Sequence, residues 1–345
     1  MNHGSVLAFE APAANRSNDE PTANDRQLLI DSRVFAVESW ARSWFEVAIT
    51  LVAIVAVIVV GLATGSLLVR LCAGFVLGLL HVRMFALFHD YLHSTILKNS
   101  KLAGFILKGY GMFLLTPPSV WKRTHEHHHK HNSKLFGANI GSFRIMTVNN
   151  YKNAGLLERL EYRLSRSVLV MLGGYLIVFF WGMCVVPFFT SPRKHPDCIA
   201  SLLIHAAVGY AIMANFGASV FAVMFAMPLL IATAFGSYLF YVQHNFPGAK
   251  VASCEKWTYT KAALQSSSFL KMGILLNWFT ANIGFHHVHH LNAKIPFYRL
   301  SQAHTELTPL QEATQTTLRL PDVWSALQLK LWDEQQECFV GFAGT

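Results

Sequence analysis

Between Thr50 and Thr64 the chain reads Thr-Leu-Val-Ala-Ile-Val-Ala-Val-Ile-Val-Val-Gly-Leu-Ala-Thr, without a charge. A run this apolar constrains the fold more than any other feature, because in a bilayer only a helix satisfies all of its own backbone hydrogen bonds within one segment. Counted back to Trp44, it reaches the roughly 20 residues that a bilayer core requires. Further apolar runs occupy 67–88, 199–215 and 220–241. Composition agrees: 53% of residues are hydrophobic and 14% charged, with a mean hydropathy of +0.35, against about 25% charged in soluble domains. The chain therefore reads as an integral membrane protein. Its net charge of +9 is expected on cytoplasmic loops beside anionic lipid, not against nucleic acid. The five cysteines are scattered without C-x-x-C spacing, as free thiols of a reducing compartment would be. No glycine-rich nucleotide loop, P-loop or nucleophile elbow occurs.

Residues 1–40 are expected to form a disordered cytosolic N-terminus with no signal peptide ahead of the first apolar run, and 41–345 a single domain. Spans are expected at about 44–64, 67–88, 199–215 and 220–241. The apolar piece at about 102–118 is short and ends in Thr116-Pro-Pro, which suits a re-entrant or interfacial element. Segment 168–189 is long enough to cross, but three crossings between the second and third histidine clusters would separate them across the bilayer. We therefore expect it to be embedded without spanning, since the basic Ser191–Pro196 connection suits a cytoplasmic turn. Residues 132–166 are polar and basic, 247–285 carry apolar positions at helical spacing, and the tail after Arg299 is polar with short amphipathic pieces. The expected architecture is an all-α membrane protein with four transmembrane helices, re-entrant or interfacial segments, and a helical cytosolic cap.

The chemistry lies in the histidines. Of 17, eight fall into three clusters: His89 and His93; His125, His128 and His129; His286, His289 and His290. Residues four apart on a helix share a face, as do the first and fourth of H-x-x-H-H, so each cluster can aim its rings at one ion or an adjacent pair. Neutral imidazole suits iron, copper, zinc or nickel. Eight ligands exceed the four that close a zinc site, so a dinuclear centre is the simplest reading. His244 stands where the last span emerges on the same face and is expected as a ninth ligand. His81 and Arg83 are ionisable groups inside a span; His81 lies about 12 Å of helix from His89 and is expected to be a satisfied interior residue.

The three clusters stand as His89-Asp-Tyr-Leu-His93, His125-Glu-His-His-His129 and His286-His-Val-His-His290. In order and separation they resemble the histidine boxes of the membrane fatty acid desaturases. Segments 240–246, 257–263 and 282–299, and the end at 331–342, are similar to the bacterial acyl-lipid and Δ12/ω6 branch. The first box departs from the His-Asp-Cys-Gly-His common there, with Tyr91 and Leu92 in place of small residues, which bears on regioselectivity. The resemblance implies two iron ions, oxygen as co-substrate, and insertion of a cis double bond into an acyl chain, Δ12/ω6 or Δ5-like, on an acyl lipid, acyl-CoA or acyl-carrier protein. It also implies an external electron donor such as ferredoxin or flavodoxin at the basic cytosolic face, because the His-Pro-Gly-Gly motif of fused cytochrome b5 is absent. A bacterial inner membrane with both termini and the metal site cytoplasmic is the matching location. Asp90 and Glu126, inside the boxes, are expected to accept N–H groups of ligand rings. A lipid or carotenoid hydroxylase or ketolase on the same site is the alternative, and a histidine-rich metal transporter a more distant one.

Overall fold

A computed structural model describes residues 22–135, 137 and 140–343. The chain is mostly helical. Helix α1 (Ala23–Asp31) precedes α2 (Trp40–Ala63) and α3 (Leu67–Leu92); α4 (Lys101–Phe113) and α5 (Pro118–His131) follow. Short helices α6 (Val148–Asn153), α7 (Leu156–Ser165) and α8 (Val168–Leu172) lead through a π-helical stretch, Tyr175–Val185, to α9 (Val186–Thr190). Next come α10 (Asp197–Phe221) and α11 (Met227–Val242). The C-terminal part contains α12 (Tyr259–Gln265), α13 (Gly273–Phe279), α14 (His286–Leu291), α15 (Leu300–Glu306) and α16 (Leu320–Gln328).

Two of these results differ from expectation. The C-terminal part, expected to be all helical, is not: β1 (Phe269–Lys271) pairs in parallel with β2 (Gln315–Thr317), and β3 (Leu331–Asp333) pairs antiparallel with β4 (Cys338–Val340). Such short strands carry no period that sequence reading could detect. Of the expected disordered segment, 1–21 lie outside the described residues, while 22–40 are folded. Thr22 caps α1 in a reciprocal capping box with Asp25, and Leu28, Ser32 and Phe35 are buried, with Ser32 Oγ accepting a 2.9 Å hydrogen bond from Asn292 Nδ2.

Among the described residues, three helical stretches are long and apolar enough to cross a membrane: α2, α3 and Asp197–Val242. The third has 46 residues, about 69 Å if straight, more than twice a bilayer core of about 30 Å. It does not run straight. Gly217 adopts φ 77°, ψ 174°, a region open essentially to glycine alone, and the chain folds back there. The rings of His205 and Phe225 therefore lie 5.1 Å apart.

All long arms end together at the histidine side of the molecule. At the start of α2, Ser39 N donates to Tyr298 Oη at 2.9 Å, while α3 ends in the first histidine pair. At the start of α10, Asp197 Oδ2 accepts from Ser119 N, the second residue of α5, at 2.7 Å. Helix α3 is the most enclosed of the long helices, and it packs tightly because it has glycines where α11 and the π-helical turn before it (Ala222–Ala226) cross: a Cβ on Gly74 would lie 2.3 Å from Val223 O, and one on Gly78 2.9 Å from Ile231 Cβ. Arg83, mid-helix, pairs at 2.5 Å with Glu46 of α2 and also donates to Thr50 Oγ1 and to Trp278 O of α13. His81 is held by Tyr110 of α4, its Nδ1 2.7 Å from the Tyr110 Oη.

Candidate metal centre

Each cluster is delivered by an element that fixes its direction. His89 and His93 sit on the last turn of α3, where Thr95 Oγ1 closes the helix end by donating to Asp90 O at 2.7 Å. Helix α5 starts at Pro118, a residue suited to a first turn. It is pinned there by Ser119, which donates to Asp197 Oδ1 at 2.5 Å. Its inward face carries His125, His128 and His129, and its outward face Lys122, Glu126 and Lys130. His244 follows α11 directly. Helix α14 carries His286, His289 and His290; Leu270 N donates to Gly284 O at 2.8 Å and Gln243 Nε2 to Ile283 O at 2.8 Å, which holds its leading loop.

The nine predicted histidines converge into two groups. His89, His93, His125, His129 and His289 form one; His128, His244, His286 and His290 form the other. Within each, all candidate ligand nitrogens lie within 4.8 Å of one another. In the first group Nε2 spacings are 2.8 Å (His89 to His125), 3.2 Å (His89 to His93), 3.0 Å (His125 to His129) and 3.1 Å (His129 to His289). In the second they close a ring: 3.0 Å from His128 to His244, 2.9 Å to His286, 3.1 Å to His290 and 3.2 Å back to His128.

These spacings fit a bound metal. At a metal–nitrogen bond of about 2.1 Å, neighbouring nitrogens sit about 3.0 Å apart with right-angle bonds and about 3.4 Å apart in a tetrahedron. The spacings of 2.8–3.2 Å lie near these values, and five and four candidate nitrogens suit a pair of metal ions. The tautomers agree. His244 Nδ1 faces the carbonyl of Ser266 at 2.8 Å; a carbonyl only accepts, so Nδ1 carries the hydrogen and Nε2 offers its lone pair inward. His128 Nδ1 lies 2.6 Å from Ser142 Oγ. Burial pushes His244 down to about 4. Burial, with neighbouring rings, likewise holds His93, His125, His128, His129, His286, His289 and His290 well below the ordinary histidine value. The rings are therefore neutral near pH 7, the state that ligates metals.

The chain matches the fatty acid desaturase family model over residues 65–320. It is 34% identical over 267 residues to a fatty acid desaturase of Bacillus subtilis, covering 75% of this chain and 74% of that one. The sn-1 oleoyl-lipid 12-desaturases of Synechocystis and Anabaena variabilis are more distant, at 24% and 25% identity, with 65% of this chain and 64% of each relative covered. The chain belongs to the fatty acid desaturase family. It is thus an oxidoreductase of a membrane-bound class.

The two box carboxylates behave differently in this desaturase. Asp90 Oδ1 lies 3.2 Å from His89 Nδ1, and Oδ2 accepts from Phe297 N at 2.9 Å. Glu126 does not match its expected role: it faces solvent, half exposed, 3.9 Å from Lys122 Nζ. It stands one residue past His125, and a helix turns about 100° per residue, so it leaves the inward face. The same rotation puts His127 outside, stacked on His131 at 3.9 Å. His287 turns away to His304, 3.0 Å between ring nitrogens. The groups bracing His128 and His244, Ser142 and the Ser266 carbonyl, come from loops with no sequence signal; only the folded chain brings them to the rings.

Proposed function

We propose that the desaturase inserts a cis double bond into the acyl chain of a membrane lipid, using oxygen and two irons held by the five-histidine and four-histidine groups. The observation that carries this reading is the convergence of nine imidazoles into two adjacent nitrogen sets. When bound, the iron pair would activate oxygen, the four-electron oxidant: two electrons and two hydrogens come from neighbouring unactivated methylenes, two electrons from an external carrier and two protons from solvent, giving two waters.

The protein's own contribution is positioning, since the methylenes of an acyl chain are chemically alike. Trp121 stacks on His125 at 5.1 Å and meets Phe85 edge-on at 4.8 Å, an apolar wall against the first group. Beyond it lie Tyr110, Phe113 and His81, which we read as the deeper end of the acyl path. Tyr91, which replaces a small residue of the related boxes, packs against Gly104: a Cβ there would lie 2.6 Å from the Tyr91 hydroxyl. This narrows the gap between α3 and α4 and bears on which bond is reached. An acyl-lipid substrate and Δ12 placement draw support from the names of the cyanobacterial relatives.

Four spans form the membrane part in this reading: α2, α3 and the arms 197–216 and 218–242. Segment 168–189 is embedded without crossing. Its support is that Cys184 Sγ lies 3.5 Å from Leu115 O and that both flanks contact the histidine side, Arg166 through Asn245 and His195 through Ser119. The histidine side faces the cytoplasm of a bacterial inner membrane, and a ferredoxin or flavodoxin docks on its basic surface.

The test is the fatty acid profile, by gas chromatography and mass spectrometry with double bonds located by derivatisation, of a host expressing the wild type or His128→Ala. A new unsaturated acid made only by the wild type is expected. An unchanged profile, with expression verified and a competent electron donor present, would overturn the reading.

A further inference from the structure

Beside the four-histidine group lies a cavity of about 30 Å³ lined by His128, His244, Ser142, Tyr241, Asn245 and Arg166, space for one or two water-sized particles. Arg166 is its unusual feature. The side chain is only 1% exposed, yet no carboxylate approaches it within ion-pair distance among the described residues. Its Nη1 donates to Arg144 O at 2.9 Å and its Nη2 to Asn245 Oδ1, while Nε has no partner. A second cation shares the neighbourhood: Lys330 Nζ donates to Arg166 O at 2.6 Å, and Arg166 and Lys330 lie 5.2 and 5.6 Å from the centre of the Tyr241 ring. Burial and the Arg166 charge push Lys330 down to about 8.

Burying a guanidinium without a counter-charge is costly, and two neutral hydrogen-bond acceptors and aromatic faces offset only part of it. The remaining donor capacity belongs to a group that borders open space. The inner wall of that space adds to the demand. Nine imidazoles bring no negative charge, so a metal pair held there, on the reading above, would leave the region strongly positive.

We propose that this cavity is a binding site for a small monovalent anion of the formate, nitrate or chloride class, held by Arg166 against the four-histidine group. Charge-assisted hydrogen bonds from a planar guanidinium are the chemistry that recognises such an ion.

The test uses full-length protein in detergent, stripped of metal by chelation and unfolded by heat at constant ionic strength. Sodium gluconate, whose anion is too large to enter, is replaced stepwise by formate or nitrate. A saturable rise in melting temperature is expected, as for any ligand that binds only the folded state. It should vanish in Arg166→Gln and weaken in Arg166→Lys. Should Arg166→Gln fail to fold, Ile145→Phe, which fills the cavity from another wall, is expected to remove the response while keeping both cations. No rise in the wild type, or an undiminished rise in folded Arg166→Gln or Ile145→Phe, would overturn the proposal. Because these arms use metal-free protein, they stand apart from the metal reading: failure to take up iron alongside an intact, Arg166-dependent anion response would sink that reading and leave the anion site standing.

Discussion

His128 belongs to the four-histidine group through Nε2 and is steered by Ser142 through Nδ1, 2.6 Å away. Outer partners that orient a ligand ring typically govern 10- to 100-fold of metal affinity. Ser142→Ala is accordingly expected to weaken the second iron's affinity about 10-fold, read by chelator competition, with the first iron little changed. The two carboxylates of the boxes separate in the same assay. Asp90→Asn removes an acceptor beside His89 and should lower affinity at the five-histidine group by about 10-fold or more. Glu126→Gln alters only a solvated charge and should leave both irons in place. An effect of Glu126→Gln as large as that of Asp90→Asn would mean that the outer face of α5 reaches the centre. Spacing alone could show which histidines share the inward face of α5. It could not show which carboxylate reaches a ring, because that depends on the neighbouring element: Phe297 N holds Asp90 in place, whereas Glu126 stays half exposed on the outer face of α5 beside Lys122.

Helices here are joined by a few positions that tolerate no ordinary side chain or no neutral one. Gly217 is one. With nothing within 4 Å of a Cβ built there, Gly217→Ala meets only backbone strain. It is expected to cost about 1–3 kcal/mol in detergent unfolding, with iron content per folded molecule retained. The Arg83–Glu46 pair is another, joining α3 to α2 at 2.5 Å. Glu46→Leu leaves Arg83 buried with a neutral hydroxyl and a carbonyl for partners. Removing one member of a buried pair commonly costs about 3–5 kcal/mol, a loss that the same unfolding measurement would register; a loss below about 1 kcal/mol would place Arg83 in a wetter setting than its burial indicates. Arg83 was recognisable from the sequence as an ion inside a span. Its partner was not, since Glu46 lies 37 residues away on another helix.

The molecule as a whole concentrates neutral histidines at one end of an apolar bundle, and this makes its stability depend on pH. In the unfolded chain these rings protonate near 6.5, whereas burial lowers the folded values, to about 4 for His244 and well down for seven others. Between those values the unfolded state binds more protons. Stability of the metal-free protein, as far as these histidines set it, is therefore level from about pH 6.5 to 8 and falls as pH drops toward 4, by about 1.4 kcal/mol per pH unit for each histidine that stays neutral. Metal adds to the fall by competing with protons for the same nitrogens. Melting temperature followed from pH 8 to 5, with and without iron, checks this; a metal-free protein equally stable at both ends would show that the rings are hydrated in solution.

Apolar run lengths announced a membrane protein, because bilayer thickness sets how many uncharged residues a helix must supply. Helical periodicity placed the metal-ligating histidines, because rings four residues apart must share a face. Both are local rules that one stretch of chain obeys without reference to another. The division of nine histidines into five and four, the fold-back at Gly217, the folded segment after Thr22, the short strands of the C-terminal part, the bracing by Ser142 and Ser266, and the buried Arg166 came only with tertiary structure. Each depends on which distant elements meet, and packing of the whole chain decides that.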